Sequence, residues 1–328
     1  MKKQKRLLLT ILCLIVLVLL GYSSLTGSSV TFTDQSWQTA TAVKDQKGTL
    51  PSNPNASNTG SGADIAPVSG TLQVHFIDVG QADCILIEAP SGKTMLIDAG
   101  NNEDAGTVTS YIEKQKISKL DIVVGTHPHE DHIGGLDAVI DAFKIGQVIM
   151  PSKTHTTETF KDVLGAVKNK GLKITPAKTG VKLNLGDGVT AVVLAPNGSD
   201  YEDLNNYSAV IRIAFGSTSF LFTGDVGEMS ESEMLRNVSM YALGSTVLKV
   251  GHHGSSDATS EPFLDLVDPT YATICVGKGN DYDHPAQETL EKLKNRGVKV
   301  FRTDLDGTIV AVSDGSEVTF HTPEIASK

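Results

Sequence analysis

The chain has 328 residues, with 38 acidic against 28 basic side chains and a formal net charge of −10. A broad acidic surface repels polyanions, which counts against tight non-specific nucleic-acid binding but not against metal-assisted hydrolysis of a phosphodiester. Of three cysteines, Cys13 lies in an apolar leader and Cys84 and Cys275 lie in strand-like runs, which excludes a disulfide framework and reads as buried thiols.

Lys2, Lys3, Lys5 and Arg6 precede a stretch from Leu7 to Leu20 that is apolar except for Thr10. A basic head, a short apolar core and a small polar flank are the grammar of export. Residues 1–25 are therefore a signal peptide or a membrane anchor. No A-x-A cleavage site is evident, and the core is short for a span of ~20 apolar residues, so both remain open. The basic end stays in the cytoplasm, which places the rest on the extracellular face of the cytoplasmic membrane or in the medium. Residues 26–69 are rich in Ser, Thr, Asn and Gly and include P-S-N-P-N-A-S-N-T-G-S-G-A at Pro51–Ala63. Such a segment buries too little apolar surface to offset its ordering entropy and reads as a flexible linker.

From Thr71 the pattern changes. Strands are expected at Leu72–Val79, Cys84–Glu88, Thr94–Ile97, Leu120–Gly125 and Gln147–Met150, with helices at Val108–Lys116, Ile133–Phe143 and Thr157–Lys168. Further strands follow at Val189–Leu194, Ser208–Ala214, Ser219–Phe222, Thr246–Val250, Tyr271–Val276, Val298–Arg302, Thr308–Val312 and Glu317–His321. Helices at Ser260–Leu266 and Ala286–Asn295 lie among them. Strands alternating with helices make residues 70–323 an α/β domain.

The chemistry concentrates at the ends of these strands. Thr126–Gly135 reads T-H-P-H-E-D-H-I-G-G, so His127, His129, Asp131 and His132 fall within six positions between a strand and a helix. Imidazole and carboxylate are the donors zinc prefers, and histidines crowded without a metal would repel on protonation. Asp225, delivered by the apolar strand of F-L-F-T-G-D with Gly224 allowing close approach, supplies a bridging carboxylate. His252 and His253 follow the strand Thr246–Val250. On an extended chain adjacent residues point opposite ways, so one of the pair is a ligand and the other faces the substrate or supports a ligand. The order of the two stays open.

Leu96–Gly100 (L-I-D-A-G), the T-H-P-H-E-D-H string, Asp225 and G-H-H-G-S resemble the successive motifs of the metallo-β-lactamase superfamily. V-G-Q-A-D at Val79–Asp83, N-N-Y-S at Asn205–Ser208 and N-D-Y-D-H-P at Asn280–Pro285 are more narrowly similar to the hydrolase domain of ComEC-type DNA-uptake channels and their freestanding relatives. The phosphorylcholine esterases of Gram-positive walls are similar too. The resemblance covers Leu72 to about His321. It implies an αββα sandwich with two divalent metal ions, zinc first and manganese as the alternative, at one edge between the sheets. The superfamily's usual further histidine before the bridging Asp is missing. Only His155 lies in that interval, in a context that reads as surface, which leaves the first ion to His127, His129 and Asp225 plus solvent.

Two cations supply a hydroxide nucleophile near neutral pH and neutralise charge on the substrate oxygens. Asp131 is expected to act in catalysis as well as in metal binding. Asp98 is expected to hold a ligand histidine or loop amide, or else to cap the turn at Gly100, and Asp83 to line the site. His284, which faces the metals in the related proteins, binds phosphate or protonates the leaving group. The leading function is a phosphodiesterase or nuclease acting on DNA or a wall polymer. Lys249, Lys278 and Arg302 are the few basic residues near the motifs. A phosphorylcholine or teichoic-acid esterase would need an aromatic pocket, for which Tyr201, Tyr207 and Tyr282 are candidates. The missing histidine argues against a β-lactamase, and the intact ligand set argues against a wall-tethered binding module without catalysis. The sequence has no multi-span channel segment, so transport of DNA would require a partner.

Overall fold

A computed structural model describes residues 70–237 and 243–323. The expected signal or anchor at 1–25 and the linker at 26–69 lie outside the described residues. Among the described residues no helix is long and apolar enough to cross a membrane.

The first half runs β1 (Leu72–Phe76), β2 (Ile85–Glu88), β3 (Thr94–Ile97), α1 (Ala105–Lys114), β4 (Lys119–Val124), α2 (Glu130–Ile133), α3 (Leu136–Ala142), β5 (Lys144–Pro151), α4 (Glu158–Asn169) and β6 (Ile174–Ala177). The second runs β7 (Lys182–Leu183), β8 (Val189–Ala195), β9 (Val210–Phe215), β10 (Thr218–Phe222), α5 (Glu228–Asn237), β11 (Val247–Lys249), α6 (Glu261–Val267), β12 (Tyr271–Ile274), α7 (Gln287–Asn295) and β13 (Lys299–Arg302). The chain then returns to the first sheet as β14 (Ile309–Ser313) and β15 (Val318–His321). One sheet has the order β15-β14-β1-β2-β3-β4-β5-β6 and the other β13-β12-β11-β10-β9-β8-β7.

Both faces of each sheet are covered, so the strands read as apolar runs whose alternate residues serve two different cores. On β2, Ile85 and Ile87 join Phe76, Phe215, Phe220 and Phe222 between the sheets, while Cys84 and Leu86 face the helices. On β10, Phe220 and Phe222 point inward between the sheets and Leu221 points out toward Met234 and Phe263 on α5 and α6. The helices outside the first sheet bury Val108, Ile112, Val139, Ile140 and Val163. Three apolar layers between four structural layers make the αββα sandwich. Each inter-sheet Phe contributes roughly 1.5–3 kcal/mol by burial.

The expected helix Ile133–Phe143 is two pieces. Gly134 and Gly135 interrupt it, and each packs against backbone: a Cβ on Gly134 would lie 2.2 Å from the Asn101 carbonyl carbon and the Asn102 nitrogen. The loop after β3 thus presses directly on the turn that carries Asp131 and His132. Absent from the sequence reading were β6, β7, α5 and a one-turn helix at Thr303–Asp306. Pro176 and the two-residue length disguise the strands, and α5 buries only Ser230, Glu231 and Met234, too few apolar positions for a periodic signal.

Within each sheet the central strands are parallel: β3, β4, β5 and β6 in one, and β10, β11, β12 and β13 in the other. Their carboxyl ends therefore lie along one edge, where open α/β sheets collect ligands. Antiparallel pairing brings the start of β2 to the end of β3, through Ile85 opposite Ile97, and the start of β9 to the end of β10, through Ile211 opposite Phe222.

Gly134→Ala is expected to destabilise the domain by about 3 kcal/mol or more, at the top of the overpacking range. Gly165→Ala in α4, where nothing lies within 4 Å of the added methyl, is expected to stabilise by about 0.5–1 kcal/mol. Thermal melts of the two variants against the parent check this contrast.

Candidate metal centre

Five strand ends deliver the site. β3 ends on Asp98, β4 on Gly125, Thr126 and His127, β10 on Thr223, Gly224 and Asp225, β11 on His252 and His253, and β12 on the loop to His284. Gly224 has φ +52, and a Cβ there would lie 3.0 Å from Ser208 Cβ and 3.3 Å from Thr126 Cβ, so the two sheets can meet there only across a glycine.

Asp131, His132, Asp225 and His253 each offer a donor atom, all within 4.8 Å of one another. His132 Nε2 lies 3.1 Å from Asp225 Oδ2, His253 Nε2 lies 3.4 Å from the same oxygen, and His253 Nε2 lies 3.2 Å from Asp131 Oδ2. Beside them, His127 Nε2 and His129 Nδ1 face each other at 2.9 Å.

The outer ring nitrogens fix which inner ones are free. His253 Nδ1 donates to Cys275 O at 2.9 Å, which leaves Nε2 as the lone-pair donor. His132 Nδ1 donates to Asp98 Oδ2 at 2.9 Å. Thr126 Oγ1 spends its hydrogen on Asp98 Oδ2 at 2.7 Å, so at 3.2 Å it accepts from His127 Nδ1. Three imidazoles thus turn Nε2 inward by three separate supports.

Asp225 Oδ1 is buried with no hydrogen-bond partner, and His132 Nε2 faces only the other oxygen of that carboxylate. Groups that polar are not buried unpaired at tolerable cost, and His/Asp donors converging on one point suit a divalent ion. The residues present fit a metal.

Charge balance says the same. Burial pushes the Asp225 carboxyl up, but His132 and His253 outweigh it and hold it well below the usual carboxylate range. Burial likewise opposes ionisation of Asp131, and His132 and the His253 hydrogen bond again prevail. In return, and against burial, Asp225 and Asp131 raise His132 far above the usual imidazole range and His253 to about 10. Burial and the neighbouring His132 push His127 well down, so it is a neutral donor. Protons on His132 and His253 are the alternative to a cation as counter-charge, so ion uptake displaces them.

Behind the ligands lies a further ionic layer. Asp83 is 1% exposed and pairs with the equally buried Lys249 Nζ at 2.7 Å. Lys249 also donates to Gly224 O and Val250 O, both at 3.1 Å. Burial alone would discharge this lysine, but Asp83 and Asp225 raise it above the ordinary lysine range.

Residues 77–278 match the family described as the metallo-beta-lactamase superfamily. The chain belongs to the metallo-β-lactamase superfamily. It is 32% identical over 259 residues to ComE operon protein 3 of Bacillus subtilis, covering 74% of this chain and 33% of that protein. Identity is 28% to Recombination protein 2 of Haemophilus influenzae, over 73% of this chain and 28% of that protein, and 28% to Competence protein ComA of Neisseria gonorrhoeae, over 71% and 31%. The chain thus spans about a third of the length of these curated relatives. The ComEC-like resemblance is shown, and by family and donor set the protein is a metal-dependent hydrolase.

Within this metallo-β-lactamase site, the expected ligands fall unevenly. His253 is buried among the donors, whereas His252 is a quarter exposed, with Nδ1 donating to Asp257 at 3.1 Å and Nε2 3.9 Å from Asp225. The pair does not separate by strand alternation: both sit in a 3-10 turn at φ 48 and 50. Asp98 does not cap Gly100; it holds the Thr126 amide and hydroxyl, each at 2.7 Å, and His132. Asp83 is buried against the outer ring nitrogens of the ligands, 3.5 Å from His253 Nδ1 and 3.8 Å from His132 Nδ1, and groups with Asp98 and His132 as a second set of converging donors. His284 stands beside His252, ring centres 5.6 Å apart. His155 sits at the rim, 6.5 Å from the His129 ring and held by Thr157.

The roles of four supporting residues were not read from the sequence, though the ComEC-like motif Asn205–Ser208 stands in the interval of the missing histidine. Ser208 Oγ touches His127 Nδ1 at 3.2 Å and accepts from the Asp225 amide at 3.1 Å. Thr126 and Lys249 act as described, and Lys249 is therefore no surface contact for a strand. Asn205 Oδ1 is buried without a partner while its Nδ2 lies 3.4 Å from His252 Nε2, so it is a spare oxygen donor beside His252. Arg302 is engaged by Asp304. Tyr201 and Tyr207 are buried against each other, so neither can wall a pocket.

Asp98→Asn is expected to lower metal affinity about 10–100-fold with the fold intact, read by chelator competition alongside circular dichroism. Lys249→Met is expected to cost about 3–5 kcal/mol by stranding Asp83, and Asp83→Asn in the same chain to recover part of it; denaturant melts of the single and double variants measure both.

Proposed function

We propose that the chain is an extracytoplasmic phosphodiesterase or nuclease of the ComEC-like type, working with two divalent ions, zinc in the first place and manganese as the alternative. The observation that carries this reading is the convergence of Asp131, His132, Asp225 and His253 on one point, with the His127–His129 pair beside them. Asp131, His132, Asp225 and His253 would hold one ion, and His127, His129 and Asp225 the other. Bound there, two cations supply a nucleophile at neutral pH and neutralise charge on the transferring phosphoryl oxygens.

The chain's own groups do the rest. Asp98, Thr126, Ser208 and the Cys275 carbonyl keep the imidazoles aimed without reorganisation during the reaction. His284, beside His252 at the open side, is placed to hydrogen-bond the leaving oxygen. Relatives named for competence and recombination support a substrate of the nucleic-acid kind. A choline-directed esterase lacks its aromatic cage, since only Tyr282 of the three candidate tyrosines is exposed.

The full chain should bind about two equivalents of zinc or manganese and hydrolyse bis-(p-nitrophenyl) phosphate. Asp131→Ala should abolish turnover. Absence of both metal and hydrolysis after reconstitution with either ion would sink this reading.

A further inference from the structure

An open cleft of about 460 Å³ adjoins the metal centre, lined by Gln81, Asn101, Glu103, Glu130, Asp131 and Tyr282. It shares Asp131 with the ligand set, so whatever fills it is attached to, or next to, the group being cleaved. Tyr282 is 69% exposed. Exposed aromatic rings are ordinarily paired with nothing, but this one has a partner. Its ring stacks on His284, centres 5.7 Å apart and planes within 27°. His284 in turn meets His252, which stands 3.9 Å from Asp225. An unbroken row of rings leads from the bridging carboxylate to solvent.

The loop that carries it is stapled by one side chain. Asn280 accepts from the Tyr282 and His284 amides, both at 3.1 Å, and donates to Gly277 O at 3.0 Å and His284 O at 2.7 Å. Gln81 Oε1 accepts from the Gly277 amide at 3.0 Å and ties this loop to the opposite wall of the cleft. Rigidity of this sort removes the ordering cost that a flexible aromatic would incur on binding.

We infer that Tyr282 is a stacking platform for the nucleobase next to the scissile phosphate, which makes it a specificity-determining residue of the proposed phosphodiesterase. The inference rests on that reading and narrows it. A single flat ring suits a flat partner, whereas a quaternary ammonium needs several aromatic walls. Gln81, whose Oε1 holds the loop, keeps its amide nitrogen to donate to a base edge, and Glu103 and Glu130 would accept from exocyclic amino groups. The same carboxylates repel a second phosphate, so the cleft takes the base and the continuing backbone must leave by another side.

The test uses the metal-loaded full chain and a deoxyadenosine dinucleotide, compared with the two dinucleotides in which either base is replaced by hydrogen. The wild type should cleave the parent about ten- to a hundredfold better, in kcat/KM, than one of the two abasic forms. That ratio should fall toward one in Tyr282→Ala and survive in Tyr282→Phe. A structural role for Tyr282 would lower all substrates alike and leave the ratio intact, which overturns the inference. A wild-type ratio of one, or selective loss of p-nitrophenylphosphorylcholine hydrolysis in Tyr282→Ala, overturns it too. Equilibrium binding of deoxyadenosine monophosphate against deoxyribose 5-phosphate, by calorimetry, reads the same base-dependent difference without turnover. It separates failure of the platform from failure of the phosphodiesterase reading.

Discussion

Everything at this edge depends on negative charge buried between two sheets. Asp83, Asp98 and Asp225 are all within 2% of full burial, and Asp131 leans in beside them. Isolated carboxylates in such a place would neutralise themselves or unfold the domain. Lys249 answers Asp83, the Thr126 donors and His132 answer Asp98, and Asp225 and Asp131 are left to the imidazoles or to a cation. The fold tolerates this arrangement because the metal site is the missing counter-charge, which couples metal affinity to the stability of the strand ends.

That coupling explains why the supports matter as much as the ligands. Asp98 lies at φ 58, and His252 and His253 at φ 48 and 50, a region that costs a non-glycine residue of order 1–3 kcal/mol. The cost buys direction: each of these residues leaves its strand at an angle an extended chain cannot reach, and so turns toward the ligand cluster. Gly134 and Gly224 do the complementary work, bringing backbone so close that no side chain can intervene. Ligands from β4, β10 and β11 then meet without any one loop having to be long.

How much of this was legible follows from the same physics. The cluster from His127 to His132 announced itself because so many donors in six positions have no cheaper explanation. Asp225 was readable from an apolar strand, a glycine and an acid. The sandwich was readable from strands alternating with helices, and its motifs named the family. His252 and His253 could not be ordered, because alternation governs strands and these residues sit in a turn. Lys249 was read only as one of the few basic residues near the motifs; its burial follows from Asp83, distant in sequence, which pairs with it. α5 escaped because its role is polar, with Glu231 accepting from the Thr259 and Ser260 amides, and no apolar period records such a contact.

Acidity and function also become compatible at this level. A net charge of −10 appears to forbid a nucleic-acid substrate only if the substrate must lie along the whole surface. At the metal centre the sign is reversed locally, because divalent ions are the largest charges in such a site. For a phosphodiester substrate, the carboxylates Glu103 and Glu130 would act as a filter rather than an obstacle, disfavouring further phosphates in the cleft beside Tyr282. On the proposed reading, such a site would take one phosphodiester at a time, between the ions that the ligands would hold and the ring of Tyr282. It has no need of the extended basic groove that a processive strand binder requires.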